Sequence, residues 1–200
     1  MGLVTLDKNE KGKPLLKIPN YSIKTMYWEY MERLIRDRNP EMSYKPNVIT
    51  EGLSSLAFDD EYEPFFAGFH KNFVSQISNR DLIGFSEKNV KFLLLSILFQ
   101  NSFYLPVSEP ENSEGYVDMY LQRRDYLYPH ITTDWVWKIK YVKQADADNQ
   151  NIIEEKRNDA IEQLNRYKTS NIFKDRTDVR YLMVVFIGKK KYEIEEVTNN

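Results

Sequence analysis

Two segments hold the residues whose types and spacing suggest chemistry. "GYVDMYL" places Asp118 within a run that alternates like a strand, and "DWVWKIKYV" places Lys138 and Lys140 two apart in a second such run. Side chains on a strand alternate between faces. Trp135, Trp137, Ile139 and Tyr141 therefore share one face, and Val136, Lys138, Lys140 and Val142 share the other. Paired lysines on a core strand need a partner or water, and a carboxylate in mid-strand is just as costly without one. An aspartate facing a lysine on the neighbouring strand, beside a helix that carries Glu87, has the layout of a carboxylate metal site with an ammonium group next to it. Ordinary readings stand beside this one. Asp118 capping a bulge or pairing with an arginine such as Arg123, and Lys138 and Lys140 lying on the open face of an edge strand, satisfy the same residues. Glu87 also suits a helix first turn by the dipole alone, and Gln163 and Tyr167 also suit plain packing.

The elements that must position these groups follow from periodicity. Ser86 is an N-cap residue type, and residues 87–99 are apolar nearly all round, which predicts a deeply buried helix. "SFYLPVSE", "GYVDMYLQ" and "DWVWKIKYV" are three strand candidates rich in aromatic and β-branched residues. Residues 152–168 read as a helix carrying Ile153, Ala160, Leu164 and Tyr167. "RYLMVVFIG" is a continuous apolar run that suits a strand covered on both faces, and "KKYEIEEV" is a more exposed last strand. Earlier in the chain, "GLVTL" and "KGKPLLKIPN" read as extended. Residues 21–37 carry a helical stripe of Tyr27, Trp28, Met31, Leu34 and Ile35. Residues 48–57 and 60–78 read as helices, the second with Phe65, Phe66, Phe69, Phe73 and Ile77 inward. The expected fold is α/β, a mixed central sheet flanked by helices, behind a mostly helical N-terminal extension.

Composition narrows the function. The 200 residues include 42% apolar and 14% aromatic residues, enough for a core. Lys plus Arg is 28 against 30 for Asp plus Glu, a net charge of −2, so nucleic acid is not gripped by bulk charge. The absence of cysteine excludes disulfides, thiolate zinc sites and cysteine nucleophiles. No phosphate-binding glycine loop of either common form occurs. "KFLLLSILF" is far shorter than a membrane span, and "MGLVTLDKNEKGK" lacks the order of a signal peptide, so a cytoplasmic location without membrane contact is expected.

The chain resembles the PD-(D/E)XK nuclease-like domain found at the C-terminus of AAA-ATPase-like proteins. The matching pieces are "SEKNVKFLLLSILF", "SEPENSEGYVDMYL", "WVWKIKYVK" and "AIEQLNRY", in the family's order. The start, "GLVTL…LLKIPNYSIKTMYWEYM", resembles the stretch that follows the ATPase module. The resemblance implies an extension over 1–58 and a restriction-endonuclease-like domain over 59–200. It implies Asp118 as the first metal-binding acid and Lys140 as the lysine that orients water or steadies phosphate charge. Glu87 would be a helix carboxylate that joins the metal shell, and Gln163 and Tyr167 would line the cleft. Mg²⁺ is the implied cofactor, with DNA and an AAA-ATPase-like module or another protein as implied partners.

One position departs from the pattern. Where the family has Asp or Glu, two before the lysine, this chain has Lys138. A unit charge at roughly 4 Å is worth about 4 kcal/mol at an effective dielectric near 20, and the swap both removes an attraction and adds a repulsion. An impaired metal site is therefore expected. An acid recruited from elsewhere, with Glu87, Glu109, Glu111 and Glu114 as candidates, would keep a Mg²⁺-dependent DNase active. A protein-interaction module with no nucleic-acid role is the remaining class. The isolated His70 and His130 carry no expected role. The run "GKKKYEIEE" reads as a solvated turn that, with Lys138, Lys140 and Lys143, would give a modest cationic face.

Overall fold

The computed structural model describes residues 5–10, 13–17, 26, 30, 33, 46–82, 84–108, 111–112 and 115–198. Strands β1 (Thr5–Glu10) and β2 (Lys13–Lys17) pair antiparallel with an irregularity between Leu6 and Lys8. The stripe expected at Tyr27, Trp28, Met31, Leu34 and Ile35 lies outside the described residues, while Met26, Tyr30 and Arg33 are helical. Helices α1 (Pro46–Phe58) and α2 (Glu63–Asn72) come next, and α2 runs on into a short 3₁₀ turn over Val74–Gln76. Then follow α3 (Glu87–Leu98), β3 (Tyr104–Ser108), the short ribbon β4 (Glu111–Asn112) and β5 (Gly115–Tyr116), β6 (Met119–Arg123), β7 (Asp134–Val142), α4 (Gln150–Lys168), β8 (Val179–Ile187) and β9 (Lys191–Glu196).

The main sheet has the order β3-β6-β7-β8-β9, parallel between β7 and β8 and antiparallel elsewhere. This is the expected mixed sheet. A parallel pair needs a crossover connection, and α4 supplies it. The apolar residues of β7 and β8 sort by parity, as a period of two requires. Trp135, Trp137, Ile139, Leu182, Val184 and Phe186 join α1, α2 and α3 in one core. Val136, Val142, Met183, Val185 and Ile187 join Ile153, Ala160, Leu164 and Tyr167 of α4 in the other. With helices on both faces, all nine residues of β7 are buried. Lys138 and Lys140 therefore do not lie on the open face of an edge strand.

The first core includes Ile49, Leu53, Leu56 and Ala57 of α1, so the packed body begins ahead of residue 59. Gly52 makes that contact possible, because a Cβ there would sit 2.6 Å from the Phe65 Cα. The inward Phe65, Phe66, Phe69, Phe73 and Ile77 are all buried, as their spacing predicts. Ser86 and Asn89 cap α3 reciprocally, and Asn149 caps α4 by accepting from the Ile152 N–H.

"GYVDMYLQ" is not one strand. It divides into β5 and β6, with Asp118 in the bend between them. The β6–β7 ladder runs Leu121↔Trp135, Tyr120↔Val136, Met119↔Trp137 and stops there. One step further on, the Asp118 carboxylate takes the β7 hydrogen bond that a strand carbonyl would otherwise accept. No helix among the described residues is long and apolar enough to cross a membrane.

Candidate functional site

The end of the β6–β7 ladder brings three elements together. Asp118 Oδ2 accepts the Ile139 backbone N–H at 3.0 Å. Asp118 Oδ1 accepts from two ammonium groups, Lys138 Nζ at 3.0 Å and Lys91 Nζ at 2.7 Å. Lys138 comes from β7, because the ladder's register places it one step beyond Trp137, opposite the bend. Lys91 comes from α3, where it also pairs with Glu87 one turn earlier at 2.9 Å. Asp118 is only 5% exposed, so both contacts are made almost without water. Its pairing partner is therefore not Arg123, which bonds Asp134 and Asp178 at the other end of the hairpin.

Lys140, on the same face as Lys138, does not reach Asp118. Its Nζ lies 2.5 Å from Asp159 Oδ2 on α4, and Asp159 Oδ1 accepts from Gln163 Nε2 at 2.6 Å. Tyr167, one further turn along α4, places its ring centroid 6.0 Å from Lys138 Nζ. The cluster is balanced, with Lys91, Lys138 and Lys140 against Glu87, Asp118 and Asp159.

The electrostatics follow from these pairings. Burial works against the Lys91 charge, but the carboxylates of Asp118 and Glu87 outweigh it and hold the ammonium above its ordinary pKa. Burial would likewise raise Asp159, yet hydrogen bonds from Lys140 and Gln163 outweigh it and hold the carboxyl below its ordinary value. Burial, reinforced by the Asp118 charge, pushes the Tyr167 hydroxyl up to about 12. Tyr167 is thus a neutral wall of the cluster at neutral pH.

Residues 85–196 match the family model described as the PD-(D/E)XK nuclease superfamily. The chain belongs to this superfamily. Comparisons with curated proteins and with solved structures find no match. The matched residues include Asp118, Lys138 and Lys140.

Nucleases of the superfamily use Mg²⁺, and the donor set here does not fit it. Mg²⁺ demands octahedral oxygen donors, one or two of them carboxylates. Both Asp118 oxygens are already engaged, one of them by two cations. No group of three His, Asp or Glu side chains able to hold a metal occurs among the described residues. Of the acids considered as replacements, Glu87 is paired with Lys91, Glu109 and Glu114 lie outside the described residues, and only the backbone of Glu111 is described.

Two members of the cluster are not evident from the motifs. Lys91 lies four residues after Glu87, the spacing of an ion pair on a helix, and is the one basic residue in the middle of an otherwise apolar run. Asp159 precedes Gln163 and Tyr167 by four and eight residues, so all three occupy one stripe of α4. The histidines stay outside. His70 is half-buried against Tyr192, where burial lowers its pKa despite a backbone hydrogen bond with Lys189, and His130 is exposed in the β6–β7 connection. Lys138 and Lys140 are buried and paired, so they do not extend the cationic turn at Lys189–Lys191.

Proposed function

We propose that this domain is a PD-(D/E)XK nuclease fold that has lost metal-dependent cleavage and keeps at most a nucleic-acid-binding role. The observation that carries the reading is the sharing of Asp118 Oδ1 by Lys91 and Lys138. On this reading Asp118 is the former first metal-binding acid, Lys140 the former catalytic lysine and Glu87 the former helix carboxylate. Each acid now holds an ammonium group instead of a metal ion. The lysines supply positive charge at the former metal position, but an ammonium does not ionise bound water as a dication does, so the nucleophile for phosphodiester hydrolysis is not generated.

Calorimetric titration of the purified protein with Mg²⁺ or Mn²⁺, together with a plasmid-nicking assay, tests this reading. The expected result is no saturable heat and no nicking. Metal-dependent nicking that disappears on Asp118→Ala overturns it.

One observation favours a second reading. Asp159 presents a carboxylate beside Lys140 from a neighbouring helix, the position a relocated acid would need in an active Mg²⁺-dependent DNase. Nicking lost in both Asp118→Ala and Asp159→Ala would select it. The resemblance of residues 1–58 to the segment after an AAA-ATPase-like module supports such a module as the setting of the domain. A protein-interaction role without nucleic acid predicts no salt-dependent shift of labelled DNA.

A further inference from the structure

Two donors converge on the Asp159 carboxylate. Lys140 Nζ reaches one carboxylate oxygen from β7, and Gln163 Nε2 reaches the other from α4. The Lys140 side chain is 9% exposed and that of Asp159 is 44% exposed. The carboxylate therefore lies on the solvent side of the ammonium, and an anion arriving from water meets Asp159 before Lys140. Lys138 adds a second positive charge within electrostatic range of Asp159. A phosphodiester offers the same kind of acceptor as this carboxylate, namely paired anionic oxygens that take charge-assisted hydrogen bonds. The side chain of Asp159 is short and nearly half in water, so turning it outward leaves Lys140 and Gln163 as donors for an incoming phosphate.

We propose that Lys140 and Gln163 form a phosphodiester-binding site whose ligand place is held by Asp159 of the same chain, so that a nucleic-acid backbone binds by displacing that carboxylate. This rests on the reading of the domain as a metal-free nuclease fold. Asp159 then acts as an internal competitor and sets how weakly the domain binds nucleic acid at rest.

The test measures binding of labelled duplex DNA by anisotropy in buffer with chelator, across a salt series. Asp159→Asn is expected to tighten binding about tenfold and to steepen the slope of log K against log salt by about 0.9, one further phosphate neutralised. Lys140→Ala alone is expected to weaken binding, because it removes a donor that the phosphate takes and leaves the Asp159 charge in place, and Asp159→Asn added to Lys140→Ala is expected to give little of the tenfold gain. An equal gain with and without Lys140 would show a general charge effect and overturn the proposal, as would no gain. Asp159→Ala is the second variant. If both Asp159 variants lose their cooperative melting transition, Asp159 is a structural tie between α4 and β7 and the proposal fails. Because the assay contains no metal, its outcome is independent of the metal titration. Wild-type protein that binds Mg²⁺ sinks the degenerate reading and leaves the competitor result standing, and the reverse also holds.

Discussion

The β6–β7 hairpin has a buried aspartate at each end, and the two are held differently. Asp134 accepts from the Tyr120 hydroxyl at 2.5 Å, from the Arg123 backbone N–H at 2.9 Å and from Arg176 Nη2 at 2.7 Å. Arg176 in turn grips Asp178 through two nitrogens, at 2.9 and 2.8 Å. Asp118, at the other end, is held by the point charges of two lysines and one backbone N–H. Guanidinium groups fix planar geometry and stay charged, whereas an ammonium on a flexible stem makes directional contacts less strictly and hydrates strongly. The arginine end is built like a permanent brace. The lysine end is a looser cluster of point charges around one carboxylate.

The largest expected effect tests the brace. Asp134→Ala leaves the Arg123 backbone N–H without its acceptor and takes from the Tyr120 hydroxyl and Arg176 the carboxylate they share, although Asp178 keeps both arginines, so a loss of about 3–5 kcal/mol is expected in urea unfolding. Asp118→Ala should lose less, about 1–3 kcal/mol, because Lys91 can keep Glu87 and long lysine stems can carry their heads toward water. Equal losses would erase the distinction between the two ends.

Next in size is recovery of metal affinity. Lys138→Glu alone leaves Lys91 on Asp118 Oδ1, so calorimetry should find little gain. Lys138→Glu combined with Lys91→Met should give measurable Mg²⁺ or Mn²⁺ binding, with a Kd of ~1 mM or tighter, equivalent to about 4 kcal/mol. A double variant that stays silent would mean that more than two charges separate this cluster from a working ion site.

The acid limb of stability offers a smaller contrast. Hydrogen bonds from Arg176 hold the Asp178 carboxyl well below the usual carboxylate range, outweighing burial, and Arg123 adds to them. A folded-state pKa below the unfolded value contributes stability above about pH 3.9 that is lost as pH falls toward the folded value. Asp159 is shifted in the same direction, so it has the same sign. Unfolding midpoints taken from about pH 6 to about pH 3 should therefore fall in the wild type and fall less in Asp178→Asn, with a weaker flattening in Asp159→Asn. The smallest effect is expected for Gln163→Leu, about 0.5–1.5 kcal/mol for one hydrogen bond to a charged partner that is half in water.

Much of this was open to reading from residue order, for a physical reason. Burial on both faces of β7 and β8 imposes a strict period of two, so the tryptophan face and the lysine face could be separated by parity alone. The split of "GYVDMYLQ" at Asp118 could not be read that way. The residues alternate as a strand does, and it is the carboxylate bond to the Ile139 N–H, twenty-one residues away in sequence, that ends the ladder. Lys91 was hidden for a similar reason. Its α3 neighbours identify a core helix, but its role is fixed by Asp118, twenty-seven residues further on. Asp159 carried a local signal, the four-residue spacing to Gln163 and Tyr167, but nothing in the helix states that a lysine from another element faces it. Arg123 illustrates the converse, since its nearness in sequence to Asp118 suggested a pair, whereas the antiparallel register carries it to Asp134.

The convergence of Lys91 and Lys138 on a single oxygen has a further consequence on the proposed reading. Replacing either lysine leaves the other cation seated, so no single substitution reopens that oxygen to an ion. Two coincident changes on separate elements would be required, which makes the seat a double lock rather than a single one.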